Sequence, residues 1–434
     1  MPRLHLVGAA VLTGDAAGTV FETGHVVIAD GRIAAVGPGA PPPDTGAATV
    51  DASGLVAIPG LVNCHGHAWL TLPRGLSDDA ALFEWAELNA PTLRLLTPDH
   101  FSGGSEIACF AMAHAGITTT VEACRYDPGI FAAAAMSVGI RCLVGGLARG
   151  PSPDPSLRPN WPSLVAETEA AQGRFGADPR CRFFIGAHSP YSCPPDLLDD
   201  VRREADRLAL PLGIHLAETA REDALIRERH GMSPARYVDA HGWLTPRTLA
   251  AHAVHLNADD VALLAARGTA VAHCPVSNAK LASGIAPVPT LRAAGVAVGL
   301  GTDSVLSNNR LDLFAEMRAA ALLQRASTQR ADVLTTADVF RMATLDAARA
   351  IGWGGELGSL EPGKRADVVL LDVEHPLGLT AQRALSDVVW SAGPESVRDV
   401  MVEGRWIVRD RVLTQVDEHA RREEIRRRLG GRAA

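Results

Sequence analysis

Eight apolar runs that alternate with helix-like stretches constrain the fold of this chain more than any other feature. The runs have the length and composition of buried strands, and they span residues 55–62, 117–122, 140–145, 181–187, 211–215, 248–252, 269–273 and 296–301. Alanine-rich segments with helical character separate several of them, for example residues 102–115, 195–208 and 259–266. This alternation predicts an α/β fold, a parallel (β/α)8 TIM-like barrel, with a doubly wound open sheet as the alternative.

Short strand-like segments occupy both ends of the chain. They are residues 4–12, 25–29 and 32–36 before the predicted barrel and 368–371, 388–390, 397–402 and 406–408 after it. Asp30-Gly31 favours a tight hairpin turn, because both positions tolerate a positive φ. We expect the two ends to pair in a small β-sandwich domain. The predicted organisation is therefore residues 1–54 and 358–434 in the β domain and residues 55–357 in the barrel.

Composition excludes several classes of protein. The net charge of −8 offers no basic face of the kind that nucleic acid requires. No stretch approaches the roughly 20 apolar residues that span a membrane, and the apolar N-terminus is too short for a signal peptide. The seven cysteines are scattered and form no C-x-x-C pair, which favours reduced thiols in a cytoplasmic protein.

The first apolar run leads into His65-Gly66-His67. Residues at i and i+2 of an extended segment point the same way, so the two imidazoles can converge on one point. Two neutral imidazoles at a strand end form half of a plausible zinc site. The motif alone is weak, since H-x-H pairs also occur in ordinary loops.

Polar residues also follow the later runs, at the strand ends where a barrel active site forms. They are His188, His215, His252, His273 and Asp303, after the fourth to the eighth runs. Each has an ordinary alternative: a single histidine is often structural, and Asp303 in Gly301-Thr302-Asp303 could be a helix N-cap. So many histidines at one end of successive strands favour a shared metal site over these separate explanations.

With these motifs in view, the chain resembles the amidohydrolase superfamily, in its deaminase and chlorohydrolase branch, which includes methylthioadenosine/S-adenosylhomocysteine deaminases. The matching motifs cover nearly the whole chain: residues 59–67, 188–191, 215–219, 251–256, 273–278, 301–304 and 358–367. As a set they are specific for the superfamily and much less so for a substrate.

The resemblance implies a set of site residues. His65, His67, His215 and Asp303 would bind one divalent metal ion, usually Zn2+. Glu218, His252 and Asp303 would be catalytic: His252 orients or deprotonates a metal-bound water, Asp303 takes its proton, and Glu218 protonates a ring nitrogen. Two-metal members carry a bridging group, often a modified lysine, after the fourth strand. The run at 181–187 contains no lysine, which predicts a single metal ion.

The activity implied is that of a metal-dependent hydrolase acting on C–N bonds other than peptide bonds. It would deaminate an aromatic N-heterocycle by attack of a zinc-bound hydroxide. Hydrolysis of an amide or another C–N or C–X bond in a specialised pathway is the alternative. A non-catalytic metal-binding relative is a third hypothesis, which the acid/base pair Glu218 and His252 disfavours. The partner would be a small-molecule substrate, and a homodimer is the family tendency.

Substrate contacts are less well defined. His188 is expected to contact the substrate, and Trp69 and Arg125 to line the pocket, with Arg149 a further cation near the barrel mouth. Adenosine-type relatives hold the ribose hydroxyls with a glutamate where this chain has Leu93. An arginine that the family carries after the third strand is expected to be absent, with residues 144–147 in its place. These differences favour an N-heterocycle other than a nucleoside, or an amide.

Overall fold

The first five strands belong to the N-terminal part of the β domain. The computed structural model describes residues 3–44, 46–150, 161, 163–373 and 380–430, so the extreme chain ends lie outside the described residues. The strands are β1 (Leu4–Leu12), β2 (Val20–Ala29), β3 (Arg32–Pro38), β4 (Ala48–Asp51) and β5 (Val56–Pro59). Asp30 and Gly31 have φ values of 50° and 75° and join β2 to β3. The predicted hairpin is confirmed.

Eight parallel strands form a nearly closed barrel, which confirms the predicted fold class over an open sheet. They are β6 (Leu61–Gly66), β7 (Ile117–Cys124), β8 (Arg141–Ala148), β9 (Cys181–Ala187), β10 (Leu212–Leu216), β11 (Thr248–His252), β12 (Ala270–His273) and β13 (Val298–Leu300). Neighbours in sequence are neighbours in the sheet. A parallel bridge between Gly66 and Asp303 joins the first strand end to the last, with Asp303 N–H donating to the His65 carbonyl over 3.0 Å.

The run at 55–62 is not one strand, and that prediction is wrong. It is divided at Gly60 between β5, which belongs to the β domain, and β6, which opens the barrel. Gly60 N–H donates to the Asp367 carbonyl, whereas Leu61 N–H donates to the Gly116 carbonyl. A Cβ at position 60 would overlap the Thr118 side chain, so only glycine fits where the chain crosses from one sheet to the other.

Helices surround the barrel and follow its strands. They are α1 (Leu82–Leu93), α2 (Pro98–His114), α3 (Pro128–Val138), α4 (Ser163–Phe175), α5 (Pro195–Arg207), α6 (Ala220–His230), α7 (Pro234–Ala240), α8 (Ala258–Arg267), α9 (Pro275–Lys280), α10 (Val288–Ala293), α11 (Val305–Asn308), α12 (Leu313–Thr328), α13 (Thr336–Met342), α14 (Leu345–Ala350), α15 (Ala381–Trp390) and α16 (Glu418–Arg428). Side-chain caps set several of their starts: Asn257, for example, accepts from Asp260 N–H at α8. Among the described residues, no helix has both the length and the apolar character needed to cross a bilayer.

The C-terminal strands complete the β domain. They are β14 (Val368–Leu371), β15 (Val397–Val402), β16 (Arg405–Arg409) and β17 (Val412–Leu413). Together with β1–β5 they form one nine-stranded sheet in the order β17-β16-β15-β14-β5-β1-β2-β3, with β4 beside β1. Because β5 lies between β1 and β14, both chain ends contribute to one sheet, as predicted.

The prediction of a strand at 388–390 is wrong, because these residues form the C-terminal end of helix α15. Ala384, Val388 and Val389 are fully buried, a spacing that places them on one face of a helix. The Thr380 side chain caps its N-terminus by accepting from Arg383 N–H. Three β-favouring residues in a row were too short a segment to reveal this helical period.

A buried ion network joins the barrel to the β domain. Arg141, the first residue of β8, is 2% exposed, and its guanidinium lies 3.3 Å from carboxylate oxygens of both Asp367 and Glu403. Asp367 precedes β14 and Glu403 lies in the turn between β15 and β16. The interface between the two domains therefore contains a buried ion network as well as packed apolar side chains.

Candidate metal-dependent active site

Four imidazoles and one carboxylate converge at the carboxyl ends of the barrel strands. His65 and His67 come from the end of β6, His215 from β10, His252 from β11 and Asp303 from the residues after β13. The ring centroids of His65 lie 4.7, 4.9 and 5.5 Å from those of His67, His215 and His252. The possible ligand atoms of His65, His67 and Asp303 lie within 4.8 Å of one another, as do those of His65, His215 and His252.

In two of these rings, those of His67 and His215, a backbone carbonyl accepts a hydrogen bond from Nδ1 and so leaves Nε2 unprotonated. His67 Nδ1 donates to the Ala123 carbonyl over 2.8 Å, and His215 Nδ1 donates to the His188 carbonyl over 2.6 Å. Burial first, and then the neighbouring imidazoles, lowers the pKa of His215 to about 3, so its ring is neutral. The Nε2 atom of each ring then carries an unshared lone pair. A hydrogen bond from the opposite ring nitrogen to a carbonyl is typical of metal-binding histidines.

The convergent nitrogens lack hydrogen-bond partners that would satisfy them. The Nε2 atoms of His67 and His215 lie 3.2 Å apart, and two acceptors cannot bond to each other. The Nε2 of His65 is buried without a partner among the described residues. A cation between these lone pairs removes the conflict, so the donor set fits a divalent metal ion.

Asp303 contributes one oxygen to the same point. Its Oδ2 accepts from the hydroxyls of Ser277 and Ser307, at 2.5 and 2.9 Å. Its Oδ1 lies 3.7 and 3.6 Å from the Nε2 atoms of His65 and His67. Burial opposes ionisation, yet the neighbouring imidazoles hold the pKa of Asp303 below its ordinary value. An ionised carboxylate with one free oxygen is a suitable ligand. Asp303 is not a helix cap, because the N-cap of α11 is Ser304, whose side chain accepts from Ser307 N–H.

His252 and Glu218 form a buried pair of ionisable side chains at the edge of this cluster. His252 Nδ1 lies 2.8 Å from Asn278 Oδ1, and its Nε2 lies 3.8 Å from Glu218 Oε2. Glu218 is 5% exposed. Burial raises its pKa to about 7, although the nearby His252 lowers it. A carboxyl group that is half protonated at neutral pH can both donate and accept a proton.

Two further buried carboxylates support the site and were missed in the sequence. Glu222 accepts from the backbone N–H groups of Ala217 and Glu218, at 3.0 and 2.8 Å, and Glu122 on β7 accepts from Ala68 N–H at 2.7 Å. Both therefore hold the backbone beside a site residue. Thr219-Ala220-Arg221-Glu222 matches the T-x-x-E capping pattern, which is a signal that could have drawn attention to Glu222.

A cavity of about 180 Å³ opens beside the cluster. Its walls combine the site residues with an aromatic and apolar surface: His67, Trp69, Leu70, Leu82, Phe83, Trp85, Ala86, Ala90, Leu93, Arg125, Leu147, Arg149, His188, Tyr191, His215, Glu218, His252, Leu281, Asp303, Ser304 and Ser307. All three residues expected to contact substrate, His188, Trp69 and Arg125, line it. His273 does not, although it ends β12: it is buried, and burial with the nearby His252 lowers its pKa to about 3.

The expectation that residues 144–147 replace an arginine of the family stays a prediction, although the structure places these residues within the third barrel strand and not after it. Residues 144–147 lie inside β8, and the strand continues to Ala148 because it pairs with β9 along its full length. The first residue after it is Arg149, which lines the cavity.

Comparison with known proteins identifies the family. The model of the amidohydrolase family matches residues 56–407. The chain belongs to the amidohydrolase family. It is therefore a hydrolase acting on C–N bonds, and its histidine and aspartate cluster supports a divalent metal ion.

Relatives of this amidohydrolase match over nearly their whole length. A 5-methylthioadenosine/S-adenosylhomocysteine deaminase from Desulforamulus reducens is 36% identical, over 99% of this chain and 98% of the relative. A 5'-deoxyadenosine deaminase from Methanothermobacter thermautotrophicus is 37% identical, over 92% of each chain. The structure of an adenosine deaminase from Xanthomonas campestris with bound zinc is similar at a TM-score of 0.89, with 31% identity and 99% of both chains covered.

Proposed function

We propose that this amidohydrolase deaminates an aromatic N-heterocyclic amine, with one zinc ion per chain held by His65, His67, His215 and Asp303. The observation that carries the proposal is the buried pair of Glu218 and His252 between the metal-binding cluster and an aromatic cavity. A binding protein has no use for such a pair. Deaminases among the relatives and zinc in the Xanthomonas campestris structure support the assignment.

The proposed ligand set fits a catalytic metal ion. Three imidazoles and one carboxylate leave a coordination position open, which a structural zinc site does not. When bound, the metal ion would lower the pKa of a water molecule toward about 7 and so supply a nucleophile at neutral pH. Strand β9, which is the fourth strand of the barrel, contains no lysine that could bridge a second ion. This supports a single metal ion.

Proton transfer would be divided among three residues. Glu218 is half protonated near pH 7, so it can give a proton to the ring nitrogen next to the carbon under attack. His252 has its Nδ1 directed to Asn278, which leaves Nε2 to accept a proton from the attacking water. Asp303, which the neighbouring imidazoles keep ionised, can take the second proton of the attacking water and pass it to the amine, which leaves as ammonia. The first proton can return from His252 to Glu218, which restores the acid.

The cavity walls suit a planar substrate. Trp69, Trp85 and Tyr191 provide aromatic surface, and His188 sits beside His215 with a centroid separation of 5.1 Å. His188 Nδ1 is hydrogen-bonded with Ser189 and Ser192, at 3.0 and 2.8 Å. We propose that its other nitrogen contacts the substrate, with Trp69 stacking on the ring and Arg125 bonding to a polar substituent.

Metal-dependent ammonia release tests this function. The purified protein is assayed on a panel of aminopurines, aminopyrimidines and heterocyclic amides, before and after removal of metal by chelation. We expect ammonia from at least one heterocyclic amine, loss of that activity on chelation, recovery with Zn2+ and about one equivalent of metal per chain. Turnover of amides alone would replace deamination by amide hydrolysis, and two tightly bound equivalents would refute the single-ion assignment. Light scattering on the same sample checks the expected homodimer.

A further inference from the structure

A second cavity, of about 130 Å³, lies inside the barrel and is called the barrel cavity here. Its wall begins at residues that precede strands, Pro211 before β10 and Arg247 before β11, and ends at His65 and His215. Along β10 the wall runs from Leu212 to His215, and three residues of an extended strand span about 10 Å. The barrel cavity therefore reaches from the amino-terminal face of the barrel to two imidazoles of the candidate metal site.

Small side chains leave the centre of the barrel unfilled. Parallel barrels usually fill this space with layers of bulky branched side chains. In this chain the wall of the barrel cavity carries alanine at Ala123 and Ala251 and glycine at Gly213. The Phe184 ring takes the space beside that glycine, since a Cβ at position 213 would lie 2.7 Å from a carbon of the ring. The ring therefore packs against the wall, and the space beside the two alanines stays open.

The wall of the barrel cavity is almost entirely apolar. Apart from the two histidines at its inner end, Arg247 is the one described wall residue with an ionisable side chain. That guanidinium is exposed at the mouth, where it donates to the Leu210 carbonyl over 3.3 Å and to Asp206 over 2.6 Å. Leu143 and Leu249 are typical of the remaining wall. A charged ligand would lose its hydration inside without gaining polar partners, so the chemistry of the wall favours an uncharged apolar one.

The barrel cavity and the active-site cavity open at different faces of the barrel. Pro246 and Gly352, which are exposed, line only the barrel cavity, whereas Trp85 lines only the active-site cavity. The two walls have His215 and Leu147 in common. A molecule in the barrel cavity would therefore approach the His215 ring from the amino-terminal face and leave the active-site cavity open to substrate.

We infer that the barrel cavity is a second binding site, which takes a small uncharged apolar molecule such as benzene through the amino-terminal face of the barrel. Apolar cavities of about 150 Å³ inside proteins stay dry and bind xenon or benzene. The barrel cavity is of comparable size, at about 130 Å³, and its exposed mouth gives such a molecule a path from solvent. The inference does not depend on which bond the enzyme hydrolyses.

Xenon and benzene are the probes that test this site, on the full-length protein loaded with metal. Crystals pressurised with xenon should show a xenon atom in the barrel cavity, and titration calorimetry should show saturable binding of benzene. Ala350→Leu adds three carbons to the wall of the barrel cavity and should weaken benzene binding by about tenfold or more, because the space becomes overpacked. Ala90→Leu makes the same change in the wall of the active-site cavity and is the matched control, with benzene binding retained.

The two readouts together decide the inference. Xenon in the barrel cavity, with benzene binding that Ala350→Leu weakens more than Ala90→Leu does, supports it. Absence of xenon from the barrel cavity overturns it, and so does benzene binding that Ala350→Leu leaves intact. Equal or greater weakening by Ala90→Leu also overturns it, because benzene would then be held in the active-site cavity. If Ala350→Leu fails to fold, Leu249→Phe fills the barrel cavity from β11 instead. Neither readout requires turnover, so the inference can fail while the proposed function stands.

Discussion

The imidazoles of the site differ in what holds the nitrogen that faces away from it. Backbone carbonyls hold His67 and His215, whereas an amide side chain, Asn278, holds His252. Both kinds of partner are amide oxygens, and each leaves Nε2 as the ring nitrogen that faces the site. The proposed difference in role between His252 and the metal ligands therefore rests on position, because His252 Nε2 lies 3.8 Å from Glu218 Oε2.

Replacement of Glu218 tests its proposed role as an acid. Glu218→Gln keeps the shape of the side chain but cannot donate or accept a proton at neutral pH. We expect kcat to fall by about 10²- to 10⁴-fold with metal content unchanged, measured by ammonia release and elemental analysis. Glu228→Gln, a substitution at an exposed position of α6, should leave both unchanged. Near wild-type turnover by Glu218→Gln would rule out its acid/base role.

The raised pKa of Glu218 predicts the alkaline side of the pH profile. Its carboxyl group carries a proton below about pH 7 and loses it above that value. If the protonated form is the donor, kcat/KM falls as pH rises past about 7. The residual activity of Glu218→Gln should lack this decline, because an amide does not titrate. An alkaline limb that persists in the variant would assign it to another group.

At the scale of elements, the turn after β10 depends on a carboxylate in the next helix. Ala217 has a φ of 50°, a strained value for alanine, and Glu222 in the first turn of α6 accepts from the N–H groups of both Ala217 and Glu218. The start of α6 and the turn that carries Glu218 are thus joined by hydrogen bonds. In the proposed chemistry, Glu222 would act only through the position of Glu218.

Glu222→Gln tests this coupling. A glutamine retains one acceptor oxygen and turns an N–H group toward the second backbone donor. We expect kcat to fall by at least tenfold, and the free energy of unfolding to fall by about 1–3 kcal/mol for one unmet buried hydrogen bond. Urea denaturation, kinetics and metal analysis measure these effects. Full activity in a destabilised variant would show that Glu222 stabilises the helix without positioning Glu218.

The sequence predicted most elements because buried parallel strands are continuous apolar runs. The runs ending at His215, His252 and His273 match strands within a few residues. His215 and His252 do converge with His65, whereas His273 does not join them. Hydropathy could not show that Gly60 divides the first run, since the division depends on contact with Thr118. The sequence did not predict the contacts of Glu222, because its partners are backbone N–H groups in a turn. No residue type in that segment predicts the conformation of the turn.

At the scale of the whole molecule, the two domains are joined by charges that are costly to separate. Arg141→Met would leave the carboxylates of Asp367 and Glu403 at the interface without this guanidinium. We expect the free energy of unfolding to fall by about 3–5 kcal/mol, measured by denaturant titration. Arg236→Gln, which breaks an exposed pair with Asp259, should cost less than about 1 kcal/mol. Equal effects of the two substitutions would contradict a structural role for the buried network.

The position of β5 has a consequence for how the protein is made. This strand leaves the ribosome early, but β14, which must lie along its open edge, follows roughly 300 residues later. At common synthesis rates the edge waits about 15–60 s for its partner. During that interval the nascent chain exposes an unpaired apolar strand, the kind of surface on which chaperones act and aggregation begins.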